Sequence, residues 1–156
     1  MTAGAQVVRR TLAAGTFTIG AVEAADDLSE VRCTYEGDGR RFVEAITFEG
    51  PASEHLDATQ VAPLLDLLRV VLATSYFKVQ PTERVHVEGT LDDELQAIAD
   101  ALFGPGLAEY YHRNGFDPAG APAIDADDRS AAAQVVPGPG AEGTLVPLGG
   151  GKDSAL

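Results

Sequence analysis

The sequence of 156 residues contains one cysteine and no tryptophan, and only 11 lysines and arginines stand against 24 aspartates and glutamates. A single cysteine, Cys33, excludes an internal disulfide framework, and a chain without disulfides suits a reducing compartment. The formal net charge of −13 argues against non-specific binding to nucleic acid or to anionic membranes, because both depend on basic surface. These scarcities favour a soluble protein that has no nucleic-acid or membrane partner.

Long apolar runs are also missing. The sequence has no run of 18 consecutive apolar residues, which is about the length that a membrane-spanning helix requires. Residues 1–6 lack the basic and apolar segments of a secretory signal. We therefore expect a cytoplasmic protein, and an apolar content of 45% is enough for the core of one ordinary domain.

The first fifty residues have the alternating pattern of β-strands. Residues 16–23, 30–35 and 41–48 alternate bulky apolar and polar side chains, so that each predicted strand has one apolar face. The sequence Gly37-Asp38-Gly39 separates the last two of these strands and predicts a tight hairpin turn. This part of the chain is therefore predicted to be an antiparallel sheet.

Two longer helices are predicted after this sheet. Residues 61–77 repeat leucine and valine at intervals of three and four, and residues 90–102 have a similar period behind an acidic first turn. A short alternating strand, residues 84–88, lies between them and places His86 on its solvent face. A third helical stretch, residues 107–113, ends at Asn114-Gly115. The predicted fold class is α+β: an N-terminal antiparallel sheet with two main helices.

The composition changes after residue 116. Residues 117–143 are rich in proline, glycine, alanine and aspartate, which predicts a linker. Residues 144–148 then form a short apolar stretch that is typical of a strand. We therefore divide the chain into an N-terminal domain of residues 1–116, a linker of residues 117–143 and the start of a second domain at residues 144–156.

The predicted strand runs into a glycine-rich segment with one lysine. Adjacent glycines let backbone N–H groups approach an anion, and a following helix would direct its positive end toward it. The spacing is not that of a Walker A loop or of a dinucleotide-binding fingerprint. A glycine hinge followed by an ordinary helix cap is the structural alternative. The residues of the segment are Gly149, Gly150, Gly151, Lys152, Asp153 and Ser154.

This segment resembles the PP-loop of the ATP-pyrophosphatase superfamily, whose pattern is Ser-Gly-Gly-x-Asp-Ser after a first strand. Gly149 stands where that superfamily usually has serine. The resemblance implies an ATP site at the start of a truncated α/β nucleotide domain, in which Lys152 neutralises phosphate and Ser154 donates hydrogen bonds. Asp153 would act through Mg²⁺ or would brace the loop.

Three stretches in a fixed order carry a second resemblance. They are Ser75-Tyr76-Phe77-Lys78, then Glu109-Tyr110-Tyr111-His112-Arg113-Asn114-Gly115, then the glycine-rich segment 149–154. Their order is similar to that in the N-terminal half of the MurL family, the UDP-N-acetylmuramoyl-L-alanyl-L-glutamate epimerases. A glycine at position 149 is expected in that family, which favours it over other PP-loop proteins.

The MurL resemblance implies an isomerase of peptidoglycan biosynthesis that uses ATP and Mg²⁺. Such an enzyme inverts the terminal L-glutamate of UDP-MurNAc-L-Ala-L-Glu, because adenylation of the α-carboxylate acidifies the Cα–H bond and a general base then removes the proton. The catalytic base stays unassigned. The candidate catalytic residues are Tyr76, Lys78, His112 and Arg113.

Plain structural roles compete with these functional ones. Tyr76 and Phe77 suit packing, Lys78 suits the end of a helix, and Asn114-Gly115 suits a helix stop. Arg113 and Asn114 together also suit a carboxylate or phosphate ligand.

Two alternatives to the epimerase stay open. One is another PP-loop adenylating enzyme, of the amidotransferase or tRNA-thiolation type, and the other is a non-catalytic binding module in which the glycines are a hinge. Because the sequence ends within the phosphate motif, we expect the 156 residues alone to be inactive.

Overall fold

The structure is a computed structural model that describes residues 9–48, 58–117 and 120–131. Within these residues a five-stranded sheet is accompanied by two main helices, which confirms the predicted α+β class. No helix of the described part has the length and apolar character to cross a membrane. The elements in chain order are β1 (Ala13–Ala24), β2 (Glu30–Gly37), β3 (Arg40–Thr47), α1 (Ala58–Phe77), β4 (Thr82–Asp92), α2 (Asp93–Phe103), a 3₁₀ turn (Pro105–Leu107), α3 (Ala108–Arg113) and β5 (Ala123–Ser130).

The sheet has the strand order β3-β2-β1-β4-β5 and is mixed. β1, β2 and β3 pair antiparallel, whereas β4 pairs parallel with β1 and β5 pairs parallel with β4. The antiparallel pairing predicted for the first fifty residues is therefore confirmed by β1, β2 and β3, whereas the two parallel pairings were not predicted. The physical reason is connectivity: α1 separates β3 from β4, and α2 with α3 separates β4 from β5, and such crossovers return the chain in the same direction.

The hairpin between β2 and β3 is confirmed. Gly37 faces Arg40 across the two strands, and the two turn residues Asp38 and Gly39 have φ angles of 51° and 68°. Positive φ at both central positions defines a tight turn whose twist matches that of the strands, and an Asp-Gly pair adopts it at little cost. The turn therefore fixes which strand faces pack against the helices.

The hydrophobic core lies between one face of the sheet and the helices. Cys33 is fully buried in this core, and burial raises the pKa of its thiol, so it serves as a small apolar side chain. The opposite face of the sheet is polar and open. The largest fully buried side chains are Tyr35, Tyr111, Phe17, Phe77, Phe103, Ile19 and Leu91.

Strand β5 changes the predicted domain boundary. Residues 123–130 lie within the stretch interpreted as a linker, yet they form an edge strand that pairs with β4 over its length. The apolar pattern of the sequence did not predict this strand because Ile124 is its only large apolar residue and most of its side chains are exposed. The first domain thus continues past residue 116 to at least Ser130. The predicted strand 144–148 lies outside the described residues.

Candidate functional site

Two of the three motif stretches meet at one cleft, beside the amino end of β4. The chain leaves α1 at Phe77 and passes through Lys78 to Pro81 before β4 begins, while α3 ends at Arg113 on the other side. The cleft has a volume of about 400 Å³. We call it the motif cleft, and its main lining residues are Arg10, Lys78, Gln80, Tyr110, Asn114 and Phe116.

Backbone hydrogen bonds hold the N-terminal segment against the end of α3. The N–H of Arg10 donates to the carbonyl of Gly115 over 2.7 Å, and the carbonyl of Arg10 accepts from the N–H of Asp117 over 3.0 Å. The Arg10 guanidinium lies over the Phe116 ring, 4.6 Å from its centroid. One wall of the cleft is therefore fixed by main-chain pairing.

Tyr110 joins the two motif stretches directly. Its hydroxyl donates to the carbonyl of Lys78 over 2.8 Å, and the Asn114 amide donates back to the carbonyl of Tyr110 over 2.8 Å. Burial raises the pKa of the Tyr110 phenol, an effect that the Arg10 guanidinium opposes. The hydroxyl is thus a protonated donor that sets the position of the Lys78 backbone.

Asn114 and Gly115 also end α3, as the sequence predicted. The N–H of Asn114 donates to the carbonyl of Tyr110 over 3.1 Å, and Gly115 has a φ of 72°. This left-handed position after the helix favours glycine.

Lys78 and Arg10 are the two cationic side chains of the motif cleft. Neither forms an ion pair with a carboxylate of residues 9–48, 58–117 or 120–131. Lys78 is one of only two lysines in the chain, and the other is Lys152 of the glycine-rich segment. This scarcity of lysine is a sequence signal that points to both motifs at once. Arg10 had no comparable signal, because it precedes every periodic element.

Two of the other three candidate residues, Tyr76 and Arg113, have side-chain contacts within the described part of the chain. Tyr76 stacks on Tyr35 with ring centroids 4.7 Å apart, and its hydroxyl donates to Glu44. Arg113 forms an exposed 2.8 Å pair with Glu109 one helical turn away. His112 is exposed in the last turn of α3. Catalytic roles for Tyr76, His112 and Arg113 stay predictions.

The third motif stretch is the glycine-rich segment 149–154. It lies outside the described residues, and its members are Gly149, Gly150, Gly151, Lys152, Asp153 and Ser154. Within the described part, no three His, Cys, Asp or Glu side chains are placed to hold a metal ion. Asp153 thus stays a predicted magnesium ligand.

A second polar cluster lies on the open face of the sheet. His86 directs Nδ1 toward Asp125 over 2.7 Å and Nε2 toward Asp127 over 3.2 Å, and Arg84 also pairs with Asp125. The hydrogen bond from His86, and then that from Arg84, hold the pKa of the Asp125 carboxyl below its ordinary value. Sequence reasoning placed His86 on the open face but missed its partners, which lie in β5. The side chains of this cluster contact one another across β4 and β5, which favours a role in holding β5.

Another depression, of about 340 Å³, lies at the carboxyl ends of β4 and β5. Ligands of parallel sheets often bind at that end of the strands. Here, however, the lining includes Asp66, Asp92 and Glu94, and Asp92 already caps α2 by accepting from the N–H of Leu95 over 2.7 Å. An acidic lining with an occupied helix end does not suit a phosphate or carboxylate, whereas the motif cleft does.

The model of the MurL N-terminal domain family matches residues 9–156. The chain belongs to the MurL family. The resemblance that the three stretches indicated is thereby confirmed, and the motif cleft is a feature of a MurL N-terminal domain.

Curated relatives carry the same family identity. The chain is 33% identical over 109 residues to a protein of Micromonospora sp. and 31% identical over 121 residues to one of Xanthomonas oryzae pv. oryzae. These alignments cover 67% and 76% of this chain but only 24% and 27% of the relatives. Both relatives are named UDP-N-acetyl-alpha-D-muramoyl-L-alanyl-L-glutamate epimerase. The chain spans about a quarter of the length of these relatives.

Proposed function

We propose that this chain forms the N-terminal domain of an ATP-dependent epimerase, which inverts the terminal L-glutamate of UDP-MurNAc-L-Ala-L-Glu in the cytoplasm. Membership in the MurL family and the names of the relatives support this proposal. Since the alignments cover about a quarter of those relatives, we place turnover in the full-length protein and expect the 156 residues alone to be inactive.

The meeting of two motif stretches at the motif cleft is the observation that carries the proposal. Lys78 and Tyr110 come from stretches 32 residues apart, and the hydrogen bond between them joins the two. A packing role alone does not require a lysine at that junction that has no carboxylate partner among the described residues, in a chain of net charge −13. A substrate that bears phosphates and carboxylates supplies the missing anion.

The chemistry that we propose begins with ATP. The α-carboxylate of the terminal glutamate attacks the α-phosphorus of ATP, so that an acyl-adenylate forms and pyrophosphate leaves. The mixed anhydride withdraws electrons from Cα more strongly than a carboxylate does, and a base can then remove the Cα proton. Return of a proton to the opposite face and attack of water on the anhydride give D-glutamate and AMP.

The residues of the glycine-rich segment suit the phosphate part of this reaction. Gly150 and Gly151 permit close backbone approach, Lys152 supplies positive charge and Ser154 supplies a hydroxyl donor. Asp153 is the residue that would hold Mg²⁺, which would neutralise charge on the phosphates. This donor set fits a nucleoside triphosphate.

The test uses the full-length protein with ATP, Mg²⁺ and UDP-MurNAc-L-Ala-L-Glu in deuterated water. We expect AMP release, deuterium at the glutamate α-carbon and D-glutamate in the product. Lys152→Met should abolish AMP release, whereas Arg32→Met, which removes an exposed arginine paired with Glu30 on β2, should not. AMP release without exchange would indicate another adenylating enzyme, and a folded protein without ATP turnover would indicate a binding module.

A further inference from the structure

The cationic side chains of this acidic chain are mostly neutralised by neighbours. Arg32, Arg41, Arg69 and Arg84 each contact a carboxylate of the described residues. Four cations form no ion pair with a carboxylate of the described residues, namely Arg10, Arg40, Lys78 and Arg129, and of these Arg10 and Lys78 line the motif cleft. Two cations without a carboxylate partner among the described residues are expected to make the potential in this cleft more positive than the field of a protein with net charge −13.

The motif cleft is also held in place before any ligand arrives. Arg10 is paired through its backbone to Gly115 and Asp117, and Ala13 donates to the carbonyl of Pro81 over 2.9 Å. The Lys78 carbonyl is fixed by the Tyr110 hydroxyl. Because the backbones of both cationic residues are anchored, ligand binding has to order only their side chains.

The floor of the motif cleft is aromatic. The rings of Tyr110 and Phe116 are stacked with centroids 6.1 Å apart, and Phe116 is 5% exposed. Charge attraction is stronger beside such an apolar surface than in open solvent. The arginine fork over this floor and the lysine of the same cleft suit an oxyanion with several acceptor atoms.

We infer that the motif cleft is an oxyanion-binding site of the MurL N-terminal domain, in which Lys78 and Arg10 hold a phosphate or a carboxylate of the substrate. The identity of that substrate, a nucleotide-linked peptide, rests on the proposed function. Two parts of it carry the required chemistry: the diphosphate of the nucleotide and the carboxylates of the dipeptide. Either group would supply anionic oxygens to Arg10 and Lys78, which form no ion pair with a carboxylate of the described residues.

The experiment measures binding of UDP and of L-Ala-L-Glu separately to the 156-residue chain by calorimetry. Lys78→Met and Arg10→Met should each weaken the ligand that occupies the cleft by roughly tenfold, since a hydrogen bond between charged groups is lost. Lys78→Arg should restore most of the affinity. If the variants lose affinity for UDP, the cleft holds the diphosphate. If they lose affinity for L-Ala-L-Glu, the cleft holds a carboxylate of the dipeptide.

Arg32→Met is the matched control, because it changes the net charge equally on a distant strand. It should leave both affinities unchanged, and thermal unfolding should show that all variants are folded. If neither ligand binds the wild-type chain, or if Lys78→Met and Arg32→Met have equal effects, the inference is wrong.

Failure of the inference is distinguishable from failure of the proposed function. In the full-length protein, Lys78→Met should raise KM with little change in kcat. Epimerisation with an unchanged KM would reject the oxyanion site and keep the epimerase. Binding of UDP that depends on Lys78, in a full-length protein without epimerisation, would reject the epimerase and keep the site.

Discussion

At the scale of single residues, Arg69 shows how much one buried side chain can organise. It is 3% exposed, and its guanidinium donates to the carbonyls of Gly20 and Glu88 over 3.1 and 2.8 Å and pairs with Asp66 over 2.8 Å. Gly20 lies in β1 and Glu88 in the parallel neighbour β4, while Arg69 itself belongs to α1. One arginine thus joins the helix to the two central strands.

Arg69→Met should therefore destabilise the protein strongly. The substitution keeps apolar volume but removes the donor from the buried Gly20 carbonyl and from the partly buried Glu88 carbonyl, which should lower the free energy of unfolding by about 3 kcal/mol. Urea denaturation followed by circular dichroism measures this loss. Arg32→Met should change the same quantity by less than about 0.5 kcal/mol, because its partner is an exposed carboxylate. Equal losses for the two variants would contradict the assigned role.

Two substitutions of Tyr76 distinguish a packing role of this residue from a catalytic role. Its ring stacks on Tyr35 and lies 5.2 Å from the Phe42 centroid, and its hydroxyl donates to Glu44. Tyr76→Phe keeps both ring contacts and should cost about 1 kcal/mol of stability, whereas Tyr76→Ala should cost about 3 kcal/mol. Denaturation curves measure both losses. A large fall in turnover of the full-length Tyr76→Phe protein, without a comparable loss of stability, would instead identify a catalytic hydroxyl.

At the scale of elements, local patterns revealed the strands but not their partners. The β2–β3 hairpin could be predicted because its strands alternate and Asp38-Gly39 adopts the required turn. The parallel pairing of β1 with β4 could not, because the two strands are joined through β2, β3 and α1 and neither carries a local signal for the other. Strand β5 was missed because it has few apolar side chains: Ile124 and Ala126 pack against the core, and its other contacts are the pairing with β4 and the polar contacts of Asp125.

The candidate site, like the sheet, could be predicted from the sequence only in part. Lys78, Tyr110 and Asn114 stood in stretches that a family resemblance could identify from sequence. Their meeting with Arg10 depends on the parallel arrangement of β1 and β4, which brings the segment before β1 beside the loop before β4. Nothing in the sequence around Arg10 indicates that contact.

Asp125 gives the pairing of β4 with β5 a dependence on pH. His86 and Arg84 hold its pKa below the ordinary value of 3.8, so the native state favours the charged carboxylate. The resulting stabilisation is present above the unfolded pKa and is lost as the pH falls below 3.8 through the lower native value. Because Asp125 is partly exposed, we expect it to contribute no more than about 1 kcal/mol.

Asp125→Asn should lower stability at neutral pH and reduce the acid-induced loss. Hydrogen exchange of the β5 amides and the free energy of unfolding, followed from about pH 5 to about pH 2.5, measure both effects. Asp128→Asn is the control on the same strand, since Asp128 accepts from the neighbouring N–H of Arg129. Identical pH profiles for wild type and Asp125→Asn would show that this carboxylate does not hold the strand.

At the scale of the whole molecule, the net charge and the motif cleft have opposite effects on an anionic ligand. A net charge of −13 repels an anionic ligand over distances comparable to the Debye length, whereas Lys78 and Arg10 attract it at contact. Paired arginines elsewhere do little to change the long-range field. The motif cleft therefore needs its two cations unpaired in the free protein if it is to hold an anion at all.

The same excess of acidic groups should make the folded chain sensitive to salt. Compaction brings 24 carboxylates close together against 11 basic groups, and this self-repulsion is larger in the native state than in the expanded unfolded chain. Added sodium chloride screens that repulsion, so the melting temperature should rise by roughly 3 °C between about 10 mM and about 300 mM salt. Calorimetry at fixed pH measures the rise.

Since Lys78→Met adds to the imbalance, it should melt slightly lower than wild type at low salt and match it at high salt. A melting temperature that falls with sodium chloride would show that local ion pairs, such as those of Arg69 and Asp125, outweigh the net charge.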